Sequence, residues 1–442
     1  MYAGASTASS MYKYWRWPDW DKQSVYGIGR WRFSENVALK VPVYYDRFAN
    51  SLYAYDDTSY TTQKKKSSFR SDYDDHATGG SLVVDLSRGA DTARVFAHLK
   101  SDVHDEGNTT NDTVASKTSS FFVEKPRLRD EDLTVAAGLE GTKKLGRGVS
   151  FSAGASWTRR EAERADSLIN PSGYNYSVGT FSKLVSDDAI DAQGRLKWAP
   201  DAANDLSVSL SSRTRMPTIK ERYSFKLGTA IPNPGLEPER SLQADLSWTG
   251  RPLPWLVAQA SLWEAWVTDV IMDVKVSGTT TQSQNKGFAR FGGYEISKGS
   301  MFALPAPELS AKADLPWRAP GLARLSVSTS YSYIVRRNLD STSLLFVNVP
   351  EHQWTGSVTY GPTRWLDFTW TTQASSSRQS YSDGTYPVAA YSVSHVKADV
   401  RLGDVTLEAG LQNVFDKDYQ VCEGFPEEGR SGFATVAWEF GR

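Results

Sequence analysis

Side chains along this chain sort by parity. Val405, Leu407, Ala409 and Leu411 fall on one parity and Thr406, Glu408, Gly410 and Gln412 on the other. Just before them, His395, Lys397, Asp399 and Arg401 alternate with Val396, Ala398, Val400 and Leu402. The same split recurs at Asp191, Gln193, Arg195 and Lys197 against Ala192, Gly194, Leu196 and Trp198, and at Leu366, Phe368 and Trp370 against Asp367, Thr369 and Thr371. Successive side chains of a strand point to opposite faces, so each segment reads as a strand with one apolar and one polar face. A soluble sandwich alternates in the same way, its apolar face turned to a core. Periodicity alone therefore leaves core and lipid open.

Composition narrows the choice. The 442 residues include 15 Trp, 21 Tyr and 18 Phe, yet only 40% are hydrophobic, and the mean hydropathy is -0.46. Many aromatics at low mean hydropathy suit a transmembrane barrel, where half of each strand faces a polar lumen and aromatic girdles mark the interfaces. A helical membrane protein is not indicated, because no apolar run is long enough for a spanning helix. A formal charge of -1 gives no electrostatic case for nucleic acid. Lys64, Lys65 and Lys66 form the one basic run and read as a solvated loop. The single cysteine, Cys422, excludes an intrachain disulfide. The opening "MYAGASTASSMYKYWRWPDW" has no basic region leading into an apolar stretch and does not read as a secretory signal peptide.

About seventeen candidate strands follow from alternation bounded by turn signals. Their connections alternate in length. Short ones lie near residues 34–36, 87–91, 145–148, 200–205, 250–254, 361–364 and 403–404. Long ones lie near 50–78, 106–130, 160–187, 216–239, 273–286, 337–351, 375–390 and 415–432. Short turns on one side and long loops on the other are the mark of an outer-membrane barrel. The proline-rich stretch 304–321 breaks this rhythm, being long where a short turn is due.

Three motifs then carry a family resemblance. "SSRTRMPTIKERYSFKLGTAIPNPGLEPERS" resembles the TonB-dependent outer-membrane receptors, with an R-x-P strand end at Arg215 and Pro217 and an N-P-x-L-x-P-E loop at Asn233, Pro234, Leu236, Pro238 and Glu239. "QNKGFARFGGYEI" is similar to that family's next strand through Asn285, Gly287, Gly293 and Glu295. The C-terminal signature is matched by Asn413, Phe415, Asp416, Tyr419, Gly429 and Arg430. "WRWPDWDKQSVYGIGRW" and "YYDRFANSLYAYDD" look like mid-barrel strands of the group. The resemblance implies an all-β, antiparallel transmembrane barrel, the C-terminal part of a 22-stranded one, across residues 1–442. It also implies a signal peptide, a TonB box and a globular plug, none of which is matched here. An even-stranded barrel has both ends on one side, whereas about seventeen crossings put them on opposite sides. The expectation is an N-terminally truncated barrel lacking the plug and roughly five strands. Phe440 is followed by Gly441 and Arg442, where the family usually ends on an aromatic residue.

Motif residues such as Arg215, Pro217, Asn233, Pro234, Glu239, Asn413, Asp416, Gly429 and Arg430 are expected to shape and pair loop ends. Ligand contacts are expected from cations interleaved with aromatics in the long loops. One set is Lys220, Arg222, Tyr223 and Lys226, beside Phe225, and a second is Lys64, Lys65, Lys66, Arg70 and Tyr73. Asp56, Asp57, Asp72, Asp74 and Asp75 fall in what reads as one extracellular loop and form a calcium candidate, since oxygen clusters hold that ion. His98, His104 and Asp105 read as lumen lining, and no catalytic motif is present. The chain is not expected to be an enzyme or to carry a cofactor.

As the family implies, the leading function is energised uptake of a scarce nutrient, a ferric siderophore or a cobalamin, at the Gram-negative outer membrane. Its partners would be membrane lipid, an extracellular metal-chelate ligand and a TonB-type protein acting through the absent plug. A passive porin-like pore is the alternative. A soluble secreted adhesin, which would fold without detergent, is the third reading.

Overall fold

The computed structural model describes residues 14–439, except 66, 114–119, 171–175, 183, 226–229, 254–255, 278–279, 297–308, 316–323 and 364. The first strands are β1 (Trp15–Ser34), β2 (Val37–Ala54), β3 (Phe69–Arg88), β4 (Asp91–Thr113), β5 (Ser120–Glu124), β6 (Leu128–Gly146) and β7 (Val149–Ile169). Next come β8 (Ser177–Thr180), β9 (Ser186–Trp198), β10 (Asn204–Arg215), the short helix α1 (Ile219–Arg222), β11 (Glu239–Leu253) and β12 (Leu256–Thr268). A hairpin of β13 (Ile271–Ser277) and β14 (Thr280–Asn285) precedes β15 (Ala289–Ile296), β16 (Leu309–Leu315), β17 (Arg324–Asn338) and β18 (His352–Gly361). The chain closes on β19 (Leu366–Ser375), β20 (Tyr391–Leu402), β21 (Val405–Gln412), β22 (Gln420–Cys422), β23 (Phe425–Pro426) and β24 (Ser431–Trp438).

Twenty of these strands form one sheet. Each crossing pairs antiparallel with the next in sequence, from β1–β2 through β4–β6, β7–β9 and β12–β15 to β21–β24. Counting β15 with β16 as one crossing gives the seventeen that the alternation implies. β5 and β8 only extend the ladder beside the upper ends of β4 and β7. The crossings between β1 and β24 thus have their backbone groups bonded within the sheet on both sides, as a lipid environment demands, and β1 and β24 are each bonded on one side among the described residues.

Register decides which solvent each face meets. Phe151, Leu196, Val208, Leu246 and Leu262 are successive cross-strand partners on five strands, and all five are exposed. Val358, Trp370, Val396 and Leu411 form a second such row. The opposite parity carries Arg195, Ser209 and Asp245, also register partners. A band of exposed apolar side chains backed by a polar concave face has one stable placement, with the band in lipid. The band ends where outward ion pairs begin, Arg159 with Asp188 at 3.2 Å and Arg290 with Glu264. At the short-turn end Phe33, Trp198, Trp365 and Trp438 are exposed, and at the long-loop end Tyr294, Tyr333 and His352 form an aromatic cluster.

Two expectations about connections are corrected. Strands run further above the band than their alternation shows: β2 continues to Ala54 and β3 starts at Phe69, so the expected loop 50–78 shrinks to 55–68. There water wets both faces, so apolar residues no longer mark one of them. The second correction concerns 304–321. β16 lies inside it and continues the crossing begun by β15: Glu295 pairs with Ser332 and Leu309 with Tyr331, so the flanking ladder on β17 is unbroken. The insertion therefore falls within one crossing, between Ile296 and Leu309. Residues 304–308, 316–321 and 440–442 lie outside the described residues.

Candidate functional site

Residues 216–225 and 230–238, between β10 and β11, build a dense polar cluster against the inner wall. Arg215 and Glu239 are register partners at the two roots of this loop. The Arg215 guanidinium donates to Glu239 at 2.6 Å and to Glu221 at 3.0 Å, clamping both roots to α1. Thr218 caps α1: its hydroxyl accepts from the Glu221 amide while the Glu221 carboxylate accepts from the Thr218 amide, a reciprocal capping box. The turn then folds back on itself, with Arg222 donating to the Leu236 carbonyl at 2.6 Å and the Asn233 amide to the Arg222 carbonyl at 2.8 Å.

Four contacts tie this strap to the inner wall. Arg222 pairs with Asp187 at 2.7 Å, both buried. Lys220 pairs with Asp75 at 2.7 Å and lies 4.7 Å from the Tyr73 ring. Ser224 donates to Glu106 at 2.7 Å, and Arg160 donates to the Pro217 carbonyl. Tyr223 packs with Ile219, Ala162, Ala165 and Phe181, and burial pushes its phenol up to about 12. The wall beneath carries buried Asp75-linked His104, Glu106, Asp130, Asp132, Asp166 and Asp187. Five of these carboxylates have a cation beside them: Lys220 and His104 at Asp75, His104 at Glu106, Arg160 at Asp132, Arg164 at Asp166 and Arg222 at Asp187.

The strap also locks to its neighbours. Asn233 donates to the Ser283 carbonyl at 2.8 Å. Asn285 accepts from the Glu237 amide at 2.9 Å and donates to the Glu237 and Asp269 carbonyls at 2.9 and 2.7 Å. Leu344 and Phe346, from residues 339–351, pack on Val267, Val270 and Met272. Residues 376–390 join through the Leu345 amide to the Ser382 carbonyl, 2.9 Å, and the Asn348 amide to the Gln379 carbonyl, 2.7 Å. Four consecutive long connections therefore form one interlinked canopy over the lumen. In the last loop Asn413, at φ 49°, donates to the Lys417 and Glu428 carbonyls at 2.9 and 3.1 Å. Asp416 accepts from the Arg430 amide at 2.7 Å. A Cβ on Gly429 would stand 2.8 Å from that carboxylate, so a larger residue there would push the Asp416 side chain aside. Trp15 of β1 meets Phe425 of this loop at 5.8 Å between ring centroids.

The sequence candidates scatter. Of the first set, Lys220 reaches the wall, and Arg222 and Tyr223 sit under the strap rather than on its outer surface. Lys226 and Lys66 lie outside the described residues. Lys64 and Lys65 are exposed in loop 55–68, where the Lys65 ammonium donates to the Asp56 carbonyl at 2.7 Å. Arg70 lies 5.1 Å over the ring of Tyr53, on the face opposite to Tyr73. His98 bonds Ser81 at 2.8 Å, whereas His104 joins Asp75 and Glu106.

The calcium candidate is corrected. Asp72 and Asp74 share one face of β3, where they bond Ser51 at 2.6 Å and Arg47 at 2.7 Å, and Asp75 occupies the other. Among the described residues no group of three or more His, Cys, Asp or Glu could hold a metal ion. Asp56 serves the backbone instead, accepting from the Lys64 and Lys65 amides at 2.8 Å and from Ser68 at 2.5 Å. Burial works to raise its carboxyl, but these donors prevail and hold it well below the usual range. A depressed folded value makes the loop's stabilisation complete above about pH 4, the unfolded value, and lost as pH falls through the lower folded one. Exchange protection of the Lys64 and Lys65 amides should persist at pH 4 and fade only in stronger acid; loss already at pH 6 would contradict this role for Asp56.

Sequence reasoning missed the ion-paired wall and two buried or half-buried arginines, Arg378 and Arg336. Their only sequence signal was polar residues at both parities near strand ends.

The family model described as "TonB dependent receptor-like, beta-barrel" matches residues 2–414. No curated protein matches the sequence. Among solved structures, the copper transporter OprC superposes with a TM-score of 0.79 at 17% identity, over 97% of this chain and 67% of that one. The ferric citrate transporter FecA gives 0.70 at 14% identity, over 94% and 61%. The ferric-catecholate import receptor Fiu from E. coli K12 gives 0.68 at 14%, over 95% and 64%. This chain thus spans roughly two thirds or less of the length of FecA and Fiu, and 67% of OprC. At these identities the likeness is one of fold, while the family match covers nearly the whole sequence. The chain belongs to the TonB-dependent receptor β-barrel family.

Proposed function

We propose that this chain forms the barrel of an outer-membrane receptor for energised uptake of a scarce nutrient, first a ferric siderophore and next a cobalamin. The observation that carries the reading is the interlinked canopy: residues 216–238 are bonded to the inner wall and to Ser283 and Asn285, and 339–351 to 376–390. A passive pore needs an open mouth, whereas a receptor needs loops that close over a captured ligand. The superposed proteins named as a ferric citrate transporter and a ferric-catecholate import receptor support the same class. Energy would come from a TonB-type protein acting through a plug outside residues 1–442.

The sheet bears on strand number alone. β1 and β24 both run from the long-loop end to the short-turn end, and among the described residues neither outer edge is paired. Two edges running the same way need an odd number of antiparallel strands between them to close. Five, the number that would complete 22, satisfies this.

A deletion strain grown on single iron sources, cobalamins or limiting copper tests the reading. Lost growth on one ferric chelate or one cobalamin, restored by the gene, is the expected result. Unchanged growth on all of them, with slower entry of small hydrophilic solutes, would favour the porin.

A further inference from the structure

Arginines on the outward face above the apolar band are matched in the first half of the sheet: Arg47 by Asp74 at 2.7 Å, Arg129 by Asp105 at 3.1 Å and Arg159 by Asp188 at 3.2 Å. The face of β12, β15 and β17 departs from this. Arg290 and Arg337 are direct register partners on the outward parity, in the row of Leu242 and Trp266. Like charges opposite one another across a strand pair destabilise it. Glu264 takes the Nε of Arg290, and Arg337 is exposed with no carboxylate partner among the described residues. Arg240, exposed at the root of β11, adds a third cation, whereas Asp340 at the rim is occupied by the Phe288 amide at 2.9 Å. Two steps nearer the membrane on the same face are Tyr294 and Tyr333, 5.3 Å apart between ring centroids. Tyr333 lies 4.8 Å from the His352 ring, whose Nδ1 is 2.7 Å from the Tyr331 hydroxyl. Between the arginines and the rings stands Gly292, register partner of Val335. A Cβ there would meet nothing nearer than the Trp263 carbonyl at 3.7 Å, so the surface is recessed at this point.

Arg290 and Tyr294 stand roughly 13 Å apart along β15. A bare phosphate or an acyl chain fills only one end of that span. A phosphorylated sugar bearing acyl chains fills all of it. The guanidinium forks take phosphate oxygens, the sugar lies over the recess and against the ring faces, and the chains follow exposed Leu262, Trp354 and Val358 into the band. The long-loop end of such a barrel faces the cell exterior, so these groups lie at the headgroups of the outer leaflet. We propose that Arg290 and Arg337, with Tyr294, Tyr333 and His352, form a binding site on the outer wall for a phosphorylated glycolipid of that leaflet, of lipid A chemistry. The site rests on the placement of the band in lipid and goes beyond the receptor reading, which it does not require.

The test is native mass spectrometry of the full-length receptor in detergent, titrated with phosphorylated lipid A, with the same lipid stripped of its phosphates, and with phosphatidylglycerol. Arg290→Gln and Arg337→Gln are combined, and Arg159→Gln, outward on β7, controls for the loss of charge. The proposal expects the wild type to bind phosphorylated lipid A about tenfold more tightly than either of the other two lipids. The double variant should lose the preference for phosphate, and Arg159→Gln should keep it. Equal binding of the phosphorylated and stripped forms by the wild type would overturn the site, as would a preference retained by the double variant. Phosphatidylglycerol binding as tightly as phosphorylated lipid A would overturn the glycolipid assignment, because the sugar would then contribute nothing. Should the double variant not assemble, Arg337→Gln alone is read instead, since it breaks no ion pair among the described residues. A preference cut about threefold or more supports the site, and an unchanged one overturns it. Uptake is decided separately, by the deletion-strain growth above.

Discussion

Replacing Arg222 by Leu is expected to free the strap at residues 216–238 from the inner wall. The guanidinium is 2% exposed, pairs with Asp187 at 2.7 Å and holds the Leu236 carbonyl at 2.6 Å. Removing it leaves the Asp187 carboxylate buried without its counter-charge, and breaking one side of a buried pair costs about 3 to 5 kcal/mol. The loss is local, because the strands on either side keep their ladders. Hydrogen exchange and limited proteolysis should therefore show residues 216–238 opening while the barrel stays resistant to heat and detergent. Asp187→Asn in the same molecule should recover much of the loss, since it removes the orphaned charge. Equal damage in the single and double variants would show that Arg222 acts by packing alone.

The second large effect concerns lipid. Val396 lies between Trp370 and Leu411 in the outward row, near the middle of its crossing. Val396→Arg should cost about 2 to 4 kcal/mol. Val400, which the alternation puts on the same face, pairs with Leu407 close to the turn at Gly403. Arg there should cost about 1 kcal/mol or less, as expected near an interface. Thr371, beside Trp370 on the lumen face, should accept Arg at about 1 kcal/mol or less. Unfolding in urea from detergent or liposomes measures all three, and equal costs at Val396 and Thr371 would reverse the facing. Asp399 is a poorer lumen comparison, because Arg there would meet Lys397, 3.3 Å from the present carboxylate.

What could be read from sequence follows from where water reaches. Inside the apolar band one face meets lipid and the other a wet lumen, so parity at Leu196, Val208 and Leu246 stated both the strand and its facing. Above the band both faces are wet. There the upper half of β3, with "RSDYDDH", and the end of β4 from Glu106 onward carried no parity signal and read as loop. The motif residues were legible as structural because their chemistry is local: Arg215 with Glu239, Asn413 with its own turn, Gly429 against Asp416. The ion-paired wall was not legible, since Asp75, Glu106, Asp132 and Asp187 come from four strands and meet only across the sheet. The same distance in sequence hid which cations are already paired. Lys220 and Arg222 looked free beside Tyr223, and their partners lie 145 and 35 residues away or nearby only in space.

The most direct measurement of the central claim is uptake of a radiolabelled ferric chelate by whole cells, with and without a protonophore. Accumulation that depends on this gene and stops when the proton gradient is dissipated, with surface binding retained, is the result predicted for an energised receptor. Gene-dependent entry that continues without the gradient would contradict it.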